Sequence, residues 1–306
     1  LRLKFEFDGA AILRLKAYVM AADPSWIEQS VMSYYDLIEE LVVCYDKNGI
    51  GWTGEPIPVQ ECLERLQKID FEKKIRLLPG DFARPKENPC DSDTYQRQVA
   101  MDAIGDSCDW VIQFDTDEVL GDKEAFLRCL KNCQSEGFAA LDYPARWLYR
   151  QVRDDLFLER SSRVWQITAN YPGPVAVRPN MKLLLCRQCE PPPYRVDFKE
   201  RSTDPLRSEH AKVHEVIDSE QGVWHFAWVR DESTFTRKSK WSTHSRDFDW
   251  SPEVRRWFWC GRHPYLAAAM TPFMRKGLGN NRIRLTRVPQ SVLHFNPNAS
   301  AQPVKM

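Results

Sequence analysis

The chain has 306 residues, with 43 Lys and Arg against 43 Asp and Glu, 43% apolar residues and 28% charged ones. These values belong to a globular protein with one extensive core or two modest ones, and they exclude disorder, collagen-like repeats and coiled coil. No run of about eighteen apolar residues occurs, so no membrane-spanning helix is expected, and the opening LRLKFEFDGA lacks the apolar core of an export signal.

The first 120 residues alternate strand and helix patterns. LKAYVM (15–20) reads as a buried strand, and Asp23-Pro24 then offers an N-cap and a first-turn proline for a helix carrying Trp26, Val31 and Tyr34. ELVVCY (40–45) is a second strand, ending at Asp46. Cys62, Leu66 and Ile69 mark a second helix, and Ile75–Leu78 a third strand. Ser92 or Asp93 can cap a helix through Tyr95, Val99 and Ala103, and WVIQF (110–114) is a fourth strand running into Asp115-Thr116-Asp117-Glu118. This order predicts an α/β fold with a mostly parallel, doubly wound central sheet and helices on both faces. Ligands in such sheets gather at the carboxyl ends of the strands, where Asp46 and the Asp115 cluster lie. A helix over Lys123–Ser135 leads into shorter mixed elements. Residues 189–194 and 200–208 read as loops, and a polar helix spans 231–245. The expected organisation is two halves of one domain (1–120 and 121–230) and a helical C-terminal extension (231–306).

The balanced charge is not uniform. From Gln221 onward there are fourteen Lys and Arg and five Asp and Glu, and six of the eleven Trp residues fall in that stretch. The nine Cys show no disulfide pattern, and without an export signal a reducing, cytoplasmic setting is expected. Cys186 and Cys189 form half of a zinc motif, for which His210 and His214 or Cys129 and Cys133 are the only complements.

The acidic cluster is the most informative feature. A hydrophobic strand ends in three carboxylates within four residues, and burying such charge without a cation is costly. Asp-x-Asp in a turn can place two carboxylates on one hard divalent ion, leaving positions that a diphosphate fills. A solvated loop with helix-capping acids is the plain alternative.

YVMAADPSWIEQSVMSYYDLIEELVVCYD followed by YQRQVAMDAIGDSCDWVIQFDTDE resembles the nucleotide-binding half of family-two glycosyltransferases with the GT-A fold. The resemblance covers residues 15–120 and is patchy beyond, chiefly at KVHEVI (212–217) and WHFAWVR (224–230); Ala21-Ala22-Asp23 departs from the family's usual turn. It implies a GT-A fold and a nucleoside-diphosphate sugar donor, UDP-sugar favoured, with transfer to a glycan or lipid-linked acceptor and inversion at the anomeric carbon. It further implies that Asp46 contacts the uracil, Arg97 positions Asp115 or the pyrophosphate, Asp115 contacts the ribose and a Mn²⁺ or Mg²⁺ ion, and Asp117 ligates that ion. A late His often adds a ligand, for which His225 and His214 qualify. Inverting transfer also needs a carboxylate base: Glu215 is the first candidate, and Asp154 and Asp155 are rivals.

In the basic tail Trp241, Trp250, Trp257 and Trp259, interleaved with Arg246, Arg255 and Arg256, can stack on sugar rings and neutralise phosphate. The same mixture suits peripheral contact with an anionic membrane surface. Nucleic acid is not an expected partner, because the rest of the chain is acidic and carries no nucleic-acid motif. Two other readings stand beside the transferase. FDTDEVL resembles the first motif of haloacid-dehalogenase-like phosphatases, although Glu118 stands where Gly is usual and the motif follows a fourth strand. A non-catalytic glycan-binding protein of the same fold would keep its ligand affinity after Asp117→Ala.

Overall fold

The structure, a computed structural model, describes residues 13–199, 212–247, 249–271, 273 and 282–294. Its first part is β1 (Leu15–Met20), α1 (Ile27–Met32), β2 (Glu40–Asp46), α2 (Val59–Ile69), β3 (Ile75–Gly80), α3 (Pro89–Ile104) and β4 (Trp110–Ile112). There follow β5 (Glu118–Leu120), α4 (Lys123–Ser135), β6 (Ala140–Asp142), β7 (Ala145–Arg153), β8 (Leu156–Ser161), β9 (Ala176–Val177), β10 (Leu183–Leu185), β11 (Gln188–Cys189), β12 (Tyr194–Phe198), β13 (Glu215–Ile217) and β14 (Val223–His225). The chain ends in α5 (Glu232–Trp241), α6 (Ser251–Arg262), α7 (Pro264–Ala269), β15 (Arg282–Arg287) and α8 (Gln290–Leu293).

Eight strands form the central sheet in the order β13-β12-β6-β9-β4-β1-β2-β3. All neighbours pair in parallel except β9, which runs antiparallel to both β4 and β6. The fold is therefore α/β with a largely parallel sheet. Strands β1 and β4 are apolar and buried on both faces because helices cover both sides. One face packs Val19, Leu41, Val43 and Ile112 against α1, α2 and α4; the other packs Tyr18, Val42 and Val111 against Ala100, Met101 and Ile104 of α3. The strand order reverses between β1 and β4, and the crevice at such a switch point is where these sheets bind ligands.

Two local expectations are corrected. Asp23 does not cap α1: the helix starts at Ile27 behind Trp26, and the Asp23 carboxylate is drawn to Ser25 and Arg230. The third helix begins before Ser92, because Asn88 accepts from the Cys90 amide as N-cap and Pro89 fills the first helical position. That earlier start puts Asp93 and Arg97 four residues apart on one buried helix face, where they form an ion pair.

A second sheet, β15-β8-β7-β14-β5, stands beside the first. β14 pairs antiparallel with β5 and in parallel with β7, which sets His225 opposite Glu118. Glycine is required where these strands enter the sheet: a Cβ on Gly121 would meet Gly222 O at 2.6 Å, and one on Gly222 would meet Pro144 O at 2.6 Å. The C-terminal segment adds a strand to its helices. β15 extends this sheet through β8, and Trp257 is completely buried, stacked on Phe235 with its Nε1 donating to the Tyr149 and Trp228 carbonyls. Among the described residues no helix is long and apolar enough to cross a membrane.

Candidate functional site

A cleft of about 300 Å³ opens at the carboxyl ends of β1, β2 and β4. Its floor holds Asp23, Asp46, Asp115 and Asp117, each placed just beyond or at the end of one of those strands. Asp115 is turned towards Arg97, whose terminal nitrogen lies 2.7 Å from Oδ1, while Arg97 Nε holds Asp93 at 2.6 Å. Burial opposes ionisation of Asp115, and Arg97 and Arg187 outweigh it, so its pKa lies below the ordinary carboxylate value. The Asp115 amide donates to Glu118 Oε2, and Glu118 is gripped bidentately by the buried Arg187. Glu118 thus braces the turn from beneath.

Asp117 carries the densest electrostatics. Its Oδ1 lies 3.2 Å from His225 Nε2, and its Oδ2 accepts from Arg230 and Lys238 at 2.7 and 2.8 Å. Against the burial penalty, Lys238, His225 and Arg230 hold its pKa well below the ordinary value. Arg230 is wholly buried and is spent: it also donates to Asp23 and to the Phe226 and Val229 carbonyls. Opposed by burial, the Arg230 and Lys238 charges pull Asp23 down to about 2. Arg97, Arg187 and Lys238 all line the cleft, and Lys238 is the most exposed of the three. The opposite face of His225 stands edge-on to Trp147, and its buried Nδ1 has no hydrogen-bond partner, with Glu118 Oε1 3.7 Å away.

The outer wall is aromatic. Trp52, Trp147, Trp228, Trp241 and Trp250 line the cleft, and Trp52 is fixed by its Nε1 donating to Gln96 at 2.8 Å. Such faces suit a base or a pyranose ring.

The structure thus brings Arg97, Asp115, Asp117 and His225 to one place. Asp46 lines the same cleft, but Oδ1 accepts from the Asn48 and Ile50 amides and Oδ2 from those of Phe82 and Ala83. These four bonds fill the acceptor sites of a carboxylate, so Asp46 staples two loops and is not a free acceptor for a uracil ring. Glu215 is not at the cleft. It lies on the edge strand β13, tied to Arg128 and Asn132 of α4 at 3.1 and 2.9 Å, because the strand's register turns it onto that helix. Asp154 and Asp155 sit at the β7–β8 hairpin, Asp155 paired with Arg287. His214 accepts from the Arg195 amide and stacks on Tyr194. Cys186-x-x-Cys189 is the tip of the β10–β11 hairpin, Cys129 and Cys133 are buried in α4, and His210 and the 200–208 loop lie outside the described residues. Of the tail tryptophans, Trp241 and Trp250 reach the cleft; Trp257 is core, and Trp259 packs with the same cluster.

No family model and no curated protein matches the chain. Among solved structures it is similar to 4-diphosphocytidyl-2C-methyl-D-erythritolsynthase from Anaerococcus prevotii DSM 20548, at 14% identity over 54% of this chain and 70% of that one, with a TM-score of 0.33. It is also similar to mannose-6-phosphate isomerase from Helicobacter pylori, at 12% identity over 51% of this chain and 58% of that one, with a TM-score of 0.29.

Sequence reasoning missed Asp23, Asp93, Arg187, Arg230 and Lys238. Arg230 had a signal in WHFAWVR; Arg187 and Lys238 come from a hairpin tip and a polar helix that look solvated in the sequence.

Proposed function

We propose that the chain is a metal-assisted glycosyltransferase that takes a nucleoside-diphosphate sugar, UDP-sugar favoured, in the cleft over β1, β2 and β4. The Asp117–His225 pair carries this reading. Two ligands at right angles on one octahedral ion with bonds of about 2.1 Å stand about 3.0 Å apart, against the 3.2 Å found. The His225 Nδ1 left unpaired faces a carboxylate, the outer partner that orients metal-bound imidazoles. Charge agrees: Asp23, Asp46, Asp93, Asp115, Asp117 and Glu118 outnumber Arg97, Arg187, Arg230 and Lys238. A Mn²⁺ or Mg²⁺ ion fits this donor set.

Asp117 and His225 would hold the ion, with Asp115 beside it. When bound, the ion supplies positive charge against the negative charge that develops on the leaving diphosphate. The protein's own groups do the rest. Arg230 fixes Asp117 Oδ2 so that Oδ1 faces the cleft. Arg97 orients Asp115. Lys238 adds a cation on the open side, and the tryptophans exclude water and stack on the donor. Every described carboxylate of the cleft is engaged by cations, hydroxyls or amides, so none of them is assigned as the acceptor base, and Glu215 is not proposed for that role.

The reading is tested by release of nucleoside diphosphate from UDP- and GDP-sugar panels with Mn²⁺. Asp115→Ala and Asp117→Ala should abolish it; activity retained in both moves the chemistry elsewhere. Hydrolysis of a generic phosphomonoester without nucleotide-sugar preference would instead favour the phosphatase reading.

A further inference from the structure

The outer wall of the cleft contains a second cluster of donor atoms, different in chemistry from the acidic floor. Cys90 stands in the first turn of α3, and His244 and Asp247 lie in the connection between α5 and α6. Cys90 Sγ is 3.9 Å from His244 Nδ1, and that nitrogen is 2.6 Å from Asp247 Oδ2. All three ligand atoms lie within 4.8 Å of one another, and no other His, Cys, Asp and Glu trio among the described residues converges in this way. Cys90 Sγ also donates to the Thr243 carbonyl at 3.6 Å, which holds the thiol against the same connection.

We propose that Cys90, His244 and Asp247 bind a divalent ion of the zinc class, with the fourth position open to water on the exposed side of His244 and Asp247. A tetrahedral zinc ion with bonds of about 2.0–2.3 Å separates its ligands by roughly 3.3–3.7 Å. The observed 3.9 and 2.6 Å bracket that spacing, so small side-chain rotations of an exposed His and Asp complete the site. Thiolate and imidazole donors select zinc over the hard ions suited to Asp115 and Asp117. On binding, the thiol proton of Cys90 passes to solvent as the sulfur–metal bond forms.

The site joins two segments that build the cleft: α3, which carries Arg97, and the α5–α6 connection between Trp241 and Trp250. Thr243 Oγ1 to Asp93 at 3.2 Å, and Arg246 to the Pro85 and Glu87 carbonyls, already draw that connection onto the α3 end. A bound ion would clip the aromatic wall to the acidic floor. The inference does not depend on the chemistry performed in the cleft.

Cobalt(II) titration of the full chain tests it, since thiolate ligation produces a sulfur-to-cobalt charge-transfer band and tetrahedral geometry produces intense d–d bands. Wild-type protein should bind one equivalent with both signatures, and zinc should displace it. Outer partners of metal sites are worth about 10–100-fold in affinity, so loss of a direct ligand in Cys90→Ser or His244→Ala should weaken zinc binding by at least about 100-fold. His244 is exposed, so His244→Ala keeps the test valid if Cys90→Ser fails to fold. Asp117→Ala should leave the cobalt spectrum unchanged. Absence of the band in wild-type protein, or its survival in both Cys90→Ser and His244→Ala, overturns the proposal; d–d bands without a charge-transfer band in wild type, lost in Asp117→Ala, would place the ion at the acidic floor and overturn it too.

Discussion

Asp46 and Asp117 are both acids at the ends of buried parallel strands, and the resemblance noted in the sequence assigns both to a donor site. Their surroundings divide them. Asp46 is satisfied by four peptide amides that arrive from two loops, which closes its lone pairs and makes it a structural staple. Asp117 is satisfied by side-chain cations on one oxygen and faces an imidazole with the other. A carboxylate held by amides fixes backbone. One held by charges on a separate strand and helix forms part of an adjustable electrostatic site. The contrast shows that position at a strand end selects a candidate, and the identity of its partners decides its role.

Four perturbations sharpen or break this contrast, taken from the largest expected effect down. Glu118→Ala should be the most damaging, because it strands the Arg187 guanidinium, buried to 2% side-chain exposure, without its counter-ion. Breaking such a pair costs about 3–5 kcal/mol, readable as a lower urea midpoint.

Asp46→Ala removes acceptors from four amides, each worth about 1–3 kcal/mol if left buried and unmade. Loop relaxation into water should reduce the total to about 2–3 kcal/mol, and Asp46→Asn, which keeps one carbonyl oxygen, should recover about half. Manganese affinity should not change in either variant. A loss of metal binding in Asp46→Asn would erase the distinction between the two acids.

A pH series isolates the ion-paired floor. Asp23 has its pKa depressed to about 2 from 3.8, so its contribution is fully present above the unfolded value and is lost as pH falls through the folded one. That window runs from about pH 4 down to about pH 2 and is worth about 2 kcal/mol. Asp23→Asn is destabilised at pH 5, and its deficit relative to wild type should shrink by about that amount at pH 2. A constant deficit would show that Asp23 is not ionised against Arg230 and Lys238.

The smallest effect belongs to Glu215→Ala. Its Arg128 partner is half exposed, so stability should fall by about 1 kcal/mol or less, with nucleotide and metal binding unchanged. A large loss of nucleotide-dependent activity would return Glu215 to the reaction.

The first 120 residues were legible because each strand is a short apolar run bounded by turn residues, and each acid ends such a run. Asp115 and Asp117 are therefore visible from local pattern, and Arg97 from the family resemblance. His225 was visible only as a late histidine; its place opposite Glu118 depends on β14 threading between β5 and β7, a pairing that spans more than a hundred residues and needs Gly121 and Gly222 at the crossing. The cationic side of the site was not legible for the same reason. Arg187, Arg230 and Lys238 lie on a hairpin, a loop and a polar helix, and nothing in their immediate neighbours distinguishes them from solvated residues. The tail misled in a different way: a Trp-rich basic segment has the composition of a ligand surface, yet Trp257 is core, covered by Phe235 and Arg150.

Calorimetric titration with UDP, with and without Mn²⁺, on wild type and Asp117→Asn is the most direct test of the central claim. Wild type should bind UDP with Mn²⁺ present and lose most of that affinity with the metal chelated, and Asp117→Asn should lose the metal-dependent part. Absence of UDP binding by wild type in the presence of Mn²⁺, or equal metal-dependent binding by wild type and Asp117→Asn, would contradict it.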